Sequence, residues 1–328
     1  MEATSGKPLN FTAQVVSAMD QLYPLALADK RWDNVGLLLD NFPVENQQPV
    51  VLLANDLTSA VCEEAIAKQA SVVIAYRTVL ASLLLRLVLA PPTDHPIDPF
   101  IFRGLKSITH HDTQQSSLLK LARHGIAVYS PHTSVDAAPG GINDWLADAC
   151  LGDNIMVTEN SNPLVEESRS VLQPVPTSPL PDGFEVSKTG YGRKIVLKAP
   201  VAARRILSNL KENLGVKFAN VAFRQPDTIN AVMAKEIKSF AVCAGSGSDV
   251  LGDCDADVLV TGELSHHAAL RFAERGQICV MLMHSSSERG FLTDRMAPKL
   301  AEVLMMAEVP AQVVVSERDA EIFHVYTG

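Results

Sequence analysis

The amino-acid sequence predicts an α/β protein built from two similar lobes. In each half a short apolar run is followed by a helical pattern and a second apolar run, at residues 50–75 and again at residues 258–283. A polar turn follows the first run in both halves. Strand–helix–strand units of this kind form parallel sheets, and their repetition indicates a pseudo-duplicated architecture.

The predicted lobes are separated by a segment of different composition. We expect the first lobe to comprise residues 1–157 and the second to comprise residues 191–328. Residues 158–190 are polar and rich in proline and have no hydrophobic period, which is typical of a linker. With 328 residues, 47% of them hydrophobic, the chain is long enough to bury a substantial core.

Composition excludes several classes of protein. The formal net charge of -9 leaves no basic footprint, so nucleic-acid binding is not expected. The five cysteines are widely spaced and form no CxxC pair, which excludes a structural zinc ribbon and indicates reduced thiols in a core. The longest leucine-rich run, residues 79–90, is too short to span a membrane.

The first residues of the chain show neither a secretory signal nor a typical mitochondrial presequence. We therefore expect a cytoplasmic protein, and a mitochondrial location stays open as the alternative.

Acidic and imidazole side chains follow the predicted strands. Glu263 follows one strand, His284 and Glu288 follow the next, and His132 and Asp136 follow the strand at residues 126–129. Because ligands of open α/β sheets bind outside the carboxyl ends of the strands, we expect these side chains to converge on a central cleft. Imidazole and carboxylate groups are ligands of zinc, manganese and iron, so the pattern predicts a dinuclear metal site there.

Three other features have simpler interpretations. His266 and His267 fit a helix N-terminal turn that faces solvent, and Glu263 has a second interpretation as a carboxylate favoured by the dipole of that helix. The GSGSD sequence at residues 245–249 lacks the lysine of a nucleotide P-loop. We therefore interpret it as a tight strand-to-helix turn rather than an anion cradle.

Several motifs occur in a fixed order along the chain: WDNVG, DLT followed by EEAI, HTSVD, GGINDWLA, GYGR, GSGSD, TGELSHH and a late H-x-x-x-E. Through them the chain resembles the Nif-three-like family, also called the GTP cyclohydrolase 1 type 2 homologue family, from about Trp32 to about Glu317. The resemblance implies a two-lobed α/β protein that assembles as a homohexameric ring with two divalent cations per subunit.

The resemblance also implies roles for individual residues. Carried over motif by motif, it implies that Asp136, His284 and Glu288 are metal ligands. His132, Glu263 and His267 would line the same site.

The sequence departs from the family pattern at residues 77–98. The family has a histidine and a proline after the second strand, whereas this chain continues with Arg77 and returns to the pattern at Pro99. Replacing residues 77–98 by one histidine gives IAYHPFIFRGLK, which matches the family and keeps the reading frame. Our hypothesis is that this atypical segment is translated intron and removes a ligand. The alternative is a native insertion whose His95 supplies that ligand.

These features favour a metal-dependent hydrolase of unknown substrate, in which Glu263 acts as the general base. The missing histidine predicts reduced metal occupancy. The alternative is a non-catalytic hexameric scaffold or regulatory protein that acts through protein partners. Cyclohydrolase activity on GTP rests on the resemblance alone.

Overall fold

The computed structural model describes residues 10–42, 44, 47–77, 108–153 and 163–326. Apart from Arg77, the atypical segment at residues 77–98 lies outside these ranges, and so does His95. Within the part of the chain that is described, no helix is both long and apolar enough to cross a membrane.

The strands are, in chain order, β1 (Gly36–Leu39), β2 (Val50–Ala54), β3 (Val72–Ala75), β4 (Ala127–Ser130), β5 (Glu166–Pro174), β6 (Gly190–Ala202), β7 (Asn220–Ala222), β8 (Glu236–Ser246), β9 (Val258–Glu263), β10 (Ile278–Met281) and β11 (Gln312–Val315). The α-helices are α1 (Phe11–Leu22), α2 (Ser59–Ala67), α3 (Thr113–Arg123), α4 (Thr133–Ala137), α5 (Ile142–Leu151), α6 (Arg204–Leu214), α7 (Ile229–Ala234), α8 (His266–Glu274), α9 (Arg289–Phe291) and α10 (Ala297–Met306). Short 3-10 turns lie at Leu25–Leu27 and Ser285–Ser287, and a π-turn lies at Leu292–Met296.

The chain folds as two compact units whose bounds differ from those of the predicted lobes. The first unit comprises residues 1–133 and 296–320, and the second comprises residues 134–295 and 321–328. The chain returns to the first unit because β11 pairs in parallel with β2, with Gln312 opposite Val50. That pairing joins residues far apart in sequence, so local hydrophobic patterns do not reveal it.

The first unit is organised around a mostly parallel sheet with strand order β1-β4-β3-β2-β11. Every residue of β2, β3 and β4 is buried, as expected for parallel strands covered on both faces. Helices α2 and α3 pack together, and α1 packs against α10. Strand β1 is antiparallel to β4, with Gly36 opposite Ser130. The residues just before β1 therefore lie at the same sheet edge as the carboxyl end of β4.

The second unit has the strand order β5-β6-β8-β9-β10-β7, in which β8, β9 and β10 are parallel. Strand β5 lies within residues 158–190, where the sequence predicted a linker, and that prediction is wrong for residues 166–174. The strand is polar and lies at the sheet edge, so it has little hydrophobic period to detect. Backbone hydrogen bonds to the antiparallel β6 define it instead.

All five cysteines of the chain are buried free thiols. Burial raises their pKa, to about 12 for Cys279. This agrees with the expected reduced core cysteines.

A buried ion-pair network joins α5 to β5 and β6 in the second unit. Arg193, 2% exposed, donates from Nε to Asp144 Oδ1 and from Nη2 to Asp144 Oδ2, both at 2.9 Å. Arg169 donates to Asp144 Oδ1 at 3.0 Å and to Asp148 Oδ1 at 2.6 Å. The arginine of GYGR and the aspartate of GGINDWLA therefore have a structural role.

The pKa values of the two aspartates in this network are shifted in opposite directions. Burial alone would raise the pKa of Asp144, but the charges and hydrogen bonds of Arg193 and Arg169, with the Gly140 N–H, outweigh it and hold that pKa below the ordinary value. Burial is also the largest influence on Asp148, and it raises the pKa of this carboxyl despite the nearby arginine.

We expect Asp144→Asn and Asp148→Asn to reveal opposite pH dependences of stability. The contribution of Asp144 is present above its unfolded pKa of about 3.9 and is lost as pH falls through its lower folded value. The raised folded pKa of Asp148 has the reverse effect, so wild type gains stability relative to Asp148→Asn as pH falls. At neutral pH, Asp144→Asn should cost about 3–5 kcal/mol because the Arg193 charge stays buried.

The measurement is urea unfolding between about pH 7 and pH 3, followed by the fluorescence of buried Trp145 in a Trp32→Phe background. Parallel pH profiles for the two variants would contradict the assignment.

Candidate metal centre

The carboxyl ends of three parallel strands form one edge of the sheet in the second unit. Gly245 lies near the end of β8, Glu263 ends β9, and His284 follows β10. The parallel registers place Ser246 opposite Glu263 and Met281 opposite Thr261. Three turns with polar groups therefore meet at this edge, as predicted from the sequence for Glu263 and His284.

His284 lies between two carboxylates. Its Nδ1 is 2.8 Å from Glu263 Oε1, and its Nε2 is 3.3 Å from Glu288 Oε1. The Glu263 side chain is 53% exposed, whereas that of Glu288 is 3% exposed. The sequence-predicted residues Glu263, His284 and Glu288 are thus brought together in one unit.

The contact between His284 Nε2 and Glu288 Oε1 needs a proton or a cation between its two atoms. When an ionised Glu263 accepts a hydrogen bond from Nδ1–H, a neutral His284 ring has only a lone pair on Nε2. This lone pair faces Glu288 Oε1, which is an acceptor as well when Glu288 is ionised. A proton on Nε2, a proton on the Glu288 carboxyl or a cation bound by both atoms makes that contact favourable. The separation of 3.3 Å would allow both atoms to bind one divalent cation, and it is also the distance of a long hydrogen bond.

Further acidic charge lies close to this contact. Burial raises the pKa of the Cys243 thiol, and the nearby charges of Asp136 and Glu288 raise it further. Asn143 holds this region together, because its Nδ2 donates to the Asp136 carbonyl and its Oδ1 accepts from the Ala244 N–H. The donors suit a divalent cation in kind and in spacing. Among the described residues, however, no group of three His, Cys, Asp or Glu side chains is arranged to hold a metal ion.

Two glycines allow the strands to approach the donors closely. A Cβ on Gly245, whose φ is +67°, would lie 2.6 Å from Glu288 Oε1 and 2.8 Å from His284 Nε2. A Cβ on Gly262 would lie 2.7 Å from Ser287 Oγ, and that hydroxyl accepts from the Gly245 N–H at 2.8 Å. From the sequence we interpreted GSGSD as a tight strand-to-helix turn and did not identify Ser287. The glycine near the end of each strand was the signal that pointed to a close approach.

His132 belongs to the first unit and has a carboxylate partner of its own. Its Nδ1 is 2.8 Å from Asp33 Oδ1, and its ring meets the edges of Trp32 and Tyr76 at centroid distances of 5.9 Å and 5.7 Å. The sequence predicted His132 as a site residue but assigned no role to Asp33, although Asp33 lies in the WDNVG motif.

The remaining predicted residues are placed as follows. Asp136 lies in α4, and His266 and His267 are exposed on the first turn of α8, in agreement with the solvent-facing interpretation. Arg77 stands where the family pattern has a ligand histidine, and its Nη1 lies 3.2 Å from Asp56 Oδ1. Whether His95 replaces that ligand stays a prediction.

We expect Gly245→Ala to disturb the donors far more than Gly215→Ala. Both glycines have left-handed backbones, at φ +67° and +63°, so both variants carry the same backbone penalty of about 1–2 kcal/mol. A Cβ on Gly215 meets nothing within 4 Å, whereas a Cβ on Gly245 displaces His284 and Glu288. The Gly245 variant should lose about 1–3 kcal/mol more stability, together with bound metal. Urea unfolding and elemental analysis of both proteins test this, and equal losses would show that the close approach is unimportant.

Comparison with known proteins agrees with the motifs and the fold. A sequence model of the Duf34/NIF3 (NGG1p interacting factor 3) family matches residues 12–87 and 93–321, and the break falls inside the atypical segment. Protein NIF3 homolog of Schizosaccharomyces pombe is 39% identical over 314 residues, covering 95% of this chain and 97% of the relative. NGG1-interacting factor 3 of Saccharomyces cerevisiae is 32% identical over 319 residues, covering 94% of each.

Among solved structures, a Bacillus cereus protein related to NIF3 superposes with a TM-score of 0.71 at 19% identity, covering 98% of this chain and 100% of that one. The Staphylococcus aureus hypothetical protein SA1388 superposes with a TM-score of 0.70 at 20% identity, with the same coverage. These two similarities show the fold. Together with the match of the family model and the two fungal relatives, they confirm the resemblance seen in the motifs, and the chain belongs to the Duf34/NIF3 family.

Proposed function

We propose that the protein binds a divalent cation at His284 and Glu288 and acts as a metal-dependent hydrolase. The observation that carries the proposal is the 3.3 Å contact between His284 Nε2 and Glu288 Oε1, two kinds of atom that commonly bind divalent cations. The buried carboxylate of Glu288 supplies negative charge where water screens it little. The family resemblance supports Asp136 as a further ligand and two cations per subunit.

The residues around the site have separable roles. His284 Nε2 and Glu288 Oε1 would hold the ion, and Glu263 holds the Nδ1 proton of His284, which orients the ring. When bound, a divalent cation lowers the pKa of water and polarises an ester or a ring carbon. Because Glu263 is half exposed, it can also exchange a proton with solvent, which suits the predicted general base.

A second function, a hexameric scaffold that acts through protein partners, has its own support. The Saccharomyces cerevisiae relative is named as an NGG1-interacting factor. In this chain, apolar side chains near the C-terminus are largely exposed, with Phe323 at 56% and Tyr326 at 92%. Exposed apolar groups that lie close together are common at protein interfaces.

The metal proposal predicts that His284→Ala and Glu288→Gln each lose bound metal. Removing one of two donors should lower affinity by at least about tenfold, comparable to losses seen around other metal sites. His124→Ala and Glu274→Gln change exposed residues of the same kind and should retain wild-type content. Elemental analysis gives metal per subunit, and a phosphoester and nucleotide panel gives turnover.

The outcomes separate the two functions. Metal loss together with loss of hydrolysis supports the hydrolase, whereas metal loss without turnover in any protein supports the scaffold. If His284→Ala retains full metal, His284 does not hold the ion and the proposed site is wrong.

The atypical segment gives a second prediction. Replacing residues 77–98 by one histidine removes Arg77 and restores the family's ligand, so the shortened protein should hold more metal per subunit than the full chain. Elemental analysis of both proteins, prepared in parallel, measures this. Equal content would show that His95 or another residue already supplies the ligand, and would remove the support for the intron hypothesis.

A further inference from the structure

We propose that Asp33 is a positioning residue that fixes the tautomer of His132, with the proton on Nδ1 and the lone pair on Nε2. In this form His132 offers Nε2 to a divalent cation. The choice of cation as ligand rests on the proposed function, whereas the assignment of the tautomer rests on the hydrogen bonds alone.

Sheet topology brings the two residues together. Asp33 precedes β1, and His132 follows β4. Since these strands are antiparallel, with Gly36 opposite Ser130, the start of β1 and the end of β4 share one edge. His132 Nδ1 then lies 2.8 Å from Asp33 Oδ1.

The direction of the hydrogen bonds around Asp33 is set by backbone donors. The Asp29 N–H, which can only donate, reaches Thr133 Oγ1 at 3.1 Å. Thr133 in turn donates to Asp33 Oδ2 from its hydroxyl, at 2.6 Å, and from its backbone N–H, at 3.2 Å. Oδ2 thus accepts two bonds from Thr133, and Oδ1 faces His132.

This arrangement determines where the imidazole proton lies. An ionised carboxylate only accepts hydrogen bonds, so His132 Nδ1 must be the donor in the 2.8 Å contact. In a neutral ring the lone pair is then on Nε2. A carboxylate on the Nδ1 proton is the usual way in which proteins hold a histidine for a metal and make it a better ligand.

The Asp33–His132 pair is held firmly in place, and its hydrogen bond runs in the direction that leaves the Nε2 lone pair available. The Asp33 side chain is 1% exposed, and a flipped imidazole would replace the hydrogen bond from Nδ1 by a contact with a ring carbon. The backbone N–H of His132 donates to the Tyr76 carbonyl at 3.0 Å, and its φ of +30° is uncommon for a residue with a side chain. Strained backbone of this kind is maintained mainly at functional sites.

The contact between Glu263 and His284 has the same Nδ1 geometry but a weaker constraint. Glu263 is 53% exposed, so water competes for its oxygens and the bond contributes less. Asp33 is therefore the carboxylate that most firmly determines a tautomer in the described residues of either site.

Asp33→Asn offers a sharp test because it keeps the shape and reverses the polarity. The Thr133 N–H requires an acceptor, so the amide oxygen must stay on Thr133 and the NH2 group must face His132. An amide NH2 can only donate, so Nδ1 becomes the acceptor and the imidazole proton moves to Nε2. Asp29→Asn is the matched control, since Asp29 is a buried aspartate of the same turn whose side chain binds Arg31 instead.

The experiment is nitrogen NMR of the full-length, metal-free protein labelled with 15N-histidine, at about pH 8, where ordinary imidazoles are neutral. Loss of one signal set in His132→Gln assigns His132. We expect a protonated Nδ1 and an unprotonated Nε2 in wild type and in Asp29→Asn, and the reverse in Asp33→Asn. Adding Zn²⁺ should shift Nε2 of wild type and require at least about tenfold more zinc in Asp33→Asn.

Each result has a distinct meaning. A protonated Nε2 in wild type, whether as the other tautomer or as an imidazolium, overturns the inference, and this result needs no variant to fold. An unchanged tautomer in a folded Asp33→Asn overturns it as well. The expected tautomers without any response of Nε2 to zinc would support the positioning role of Asp33 and overturn the choice of a cation as the ligand of His132.

Discussion

Parallel strand pairing is the constraint on which both sites depend. Because β2, β3 and β4 run in the same direction, the residues after them emerge at one edge of the first sheet, and β8, β9 and β10 do the same in the second. Strands β2, β3 and β4 are buried and almost wholly apolar, so the polar groups of the first sheet lie at the strand ends. His132 and His284 each follow such a strand, and each meets a carboxylate through Nδ1 at 2.8 Å.

The acidic groups at these edges create a need for positive charge. In the first unit the hydrogen bonds to Asp33 come from backbone and side-chain donors, and these satisfy it without an ion. In the second unit Glu288 is buried and faces an imidazole nitrogen, an arrangement that requires a proton or a cation between the two atoms. The Asp33–His132 pair is supplied with hydrogen-bond donors, whereas the Glu288–His284 pair needs a proton or a cation. For this reason we propose a cation at His284 and a positioning role for Asp33.

The sequence predicted those parts of the structure that follow from local patterns. The α/β class and the family assignment are confirmed, and the strand–helix–strand units stand where the apolar runs indicated. Strand β5 was missed because an edge strand needs backbone partners more than apolar residues, and β11 was not placed because its pairing with β2 is non-local. Asp33 was missed for a similar reason, since only the antiparallel β1 carries the WDNVG turn to His132.

The atypical segment can be judged by what it does to charge at the end of β3. Arg77 follows Tyr76 directly and places a guanidinium against Asp56, at the same sheet edge as His132. A fixed positive charge at this edge opposes the binding of a divalent cation, whereas a neutral histidine in the same place would add a donor. Arginine in place of histidine therefore weakens metal binding in two ways, because its charge repels the cation and because a ligand is lost. That double effect makes metal content a more sensitive measure of the segment than stability, to which an ion pair between partly exposed groups contributes little.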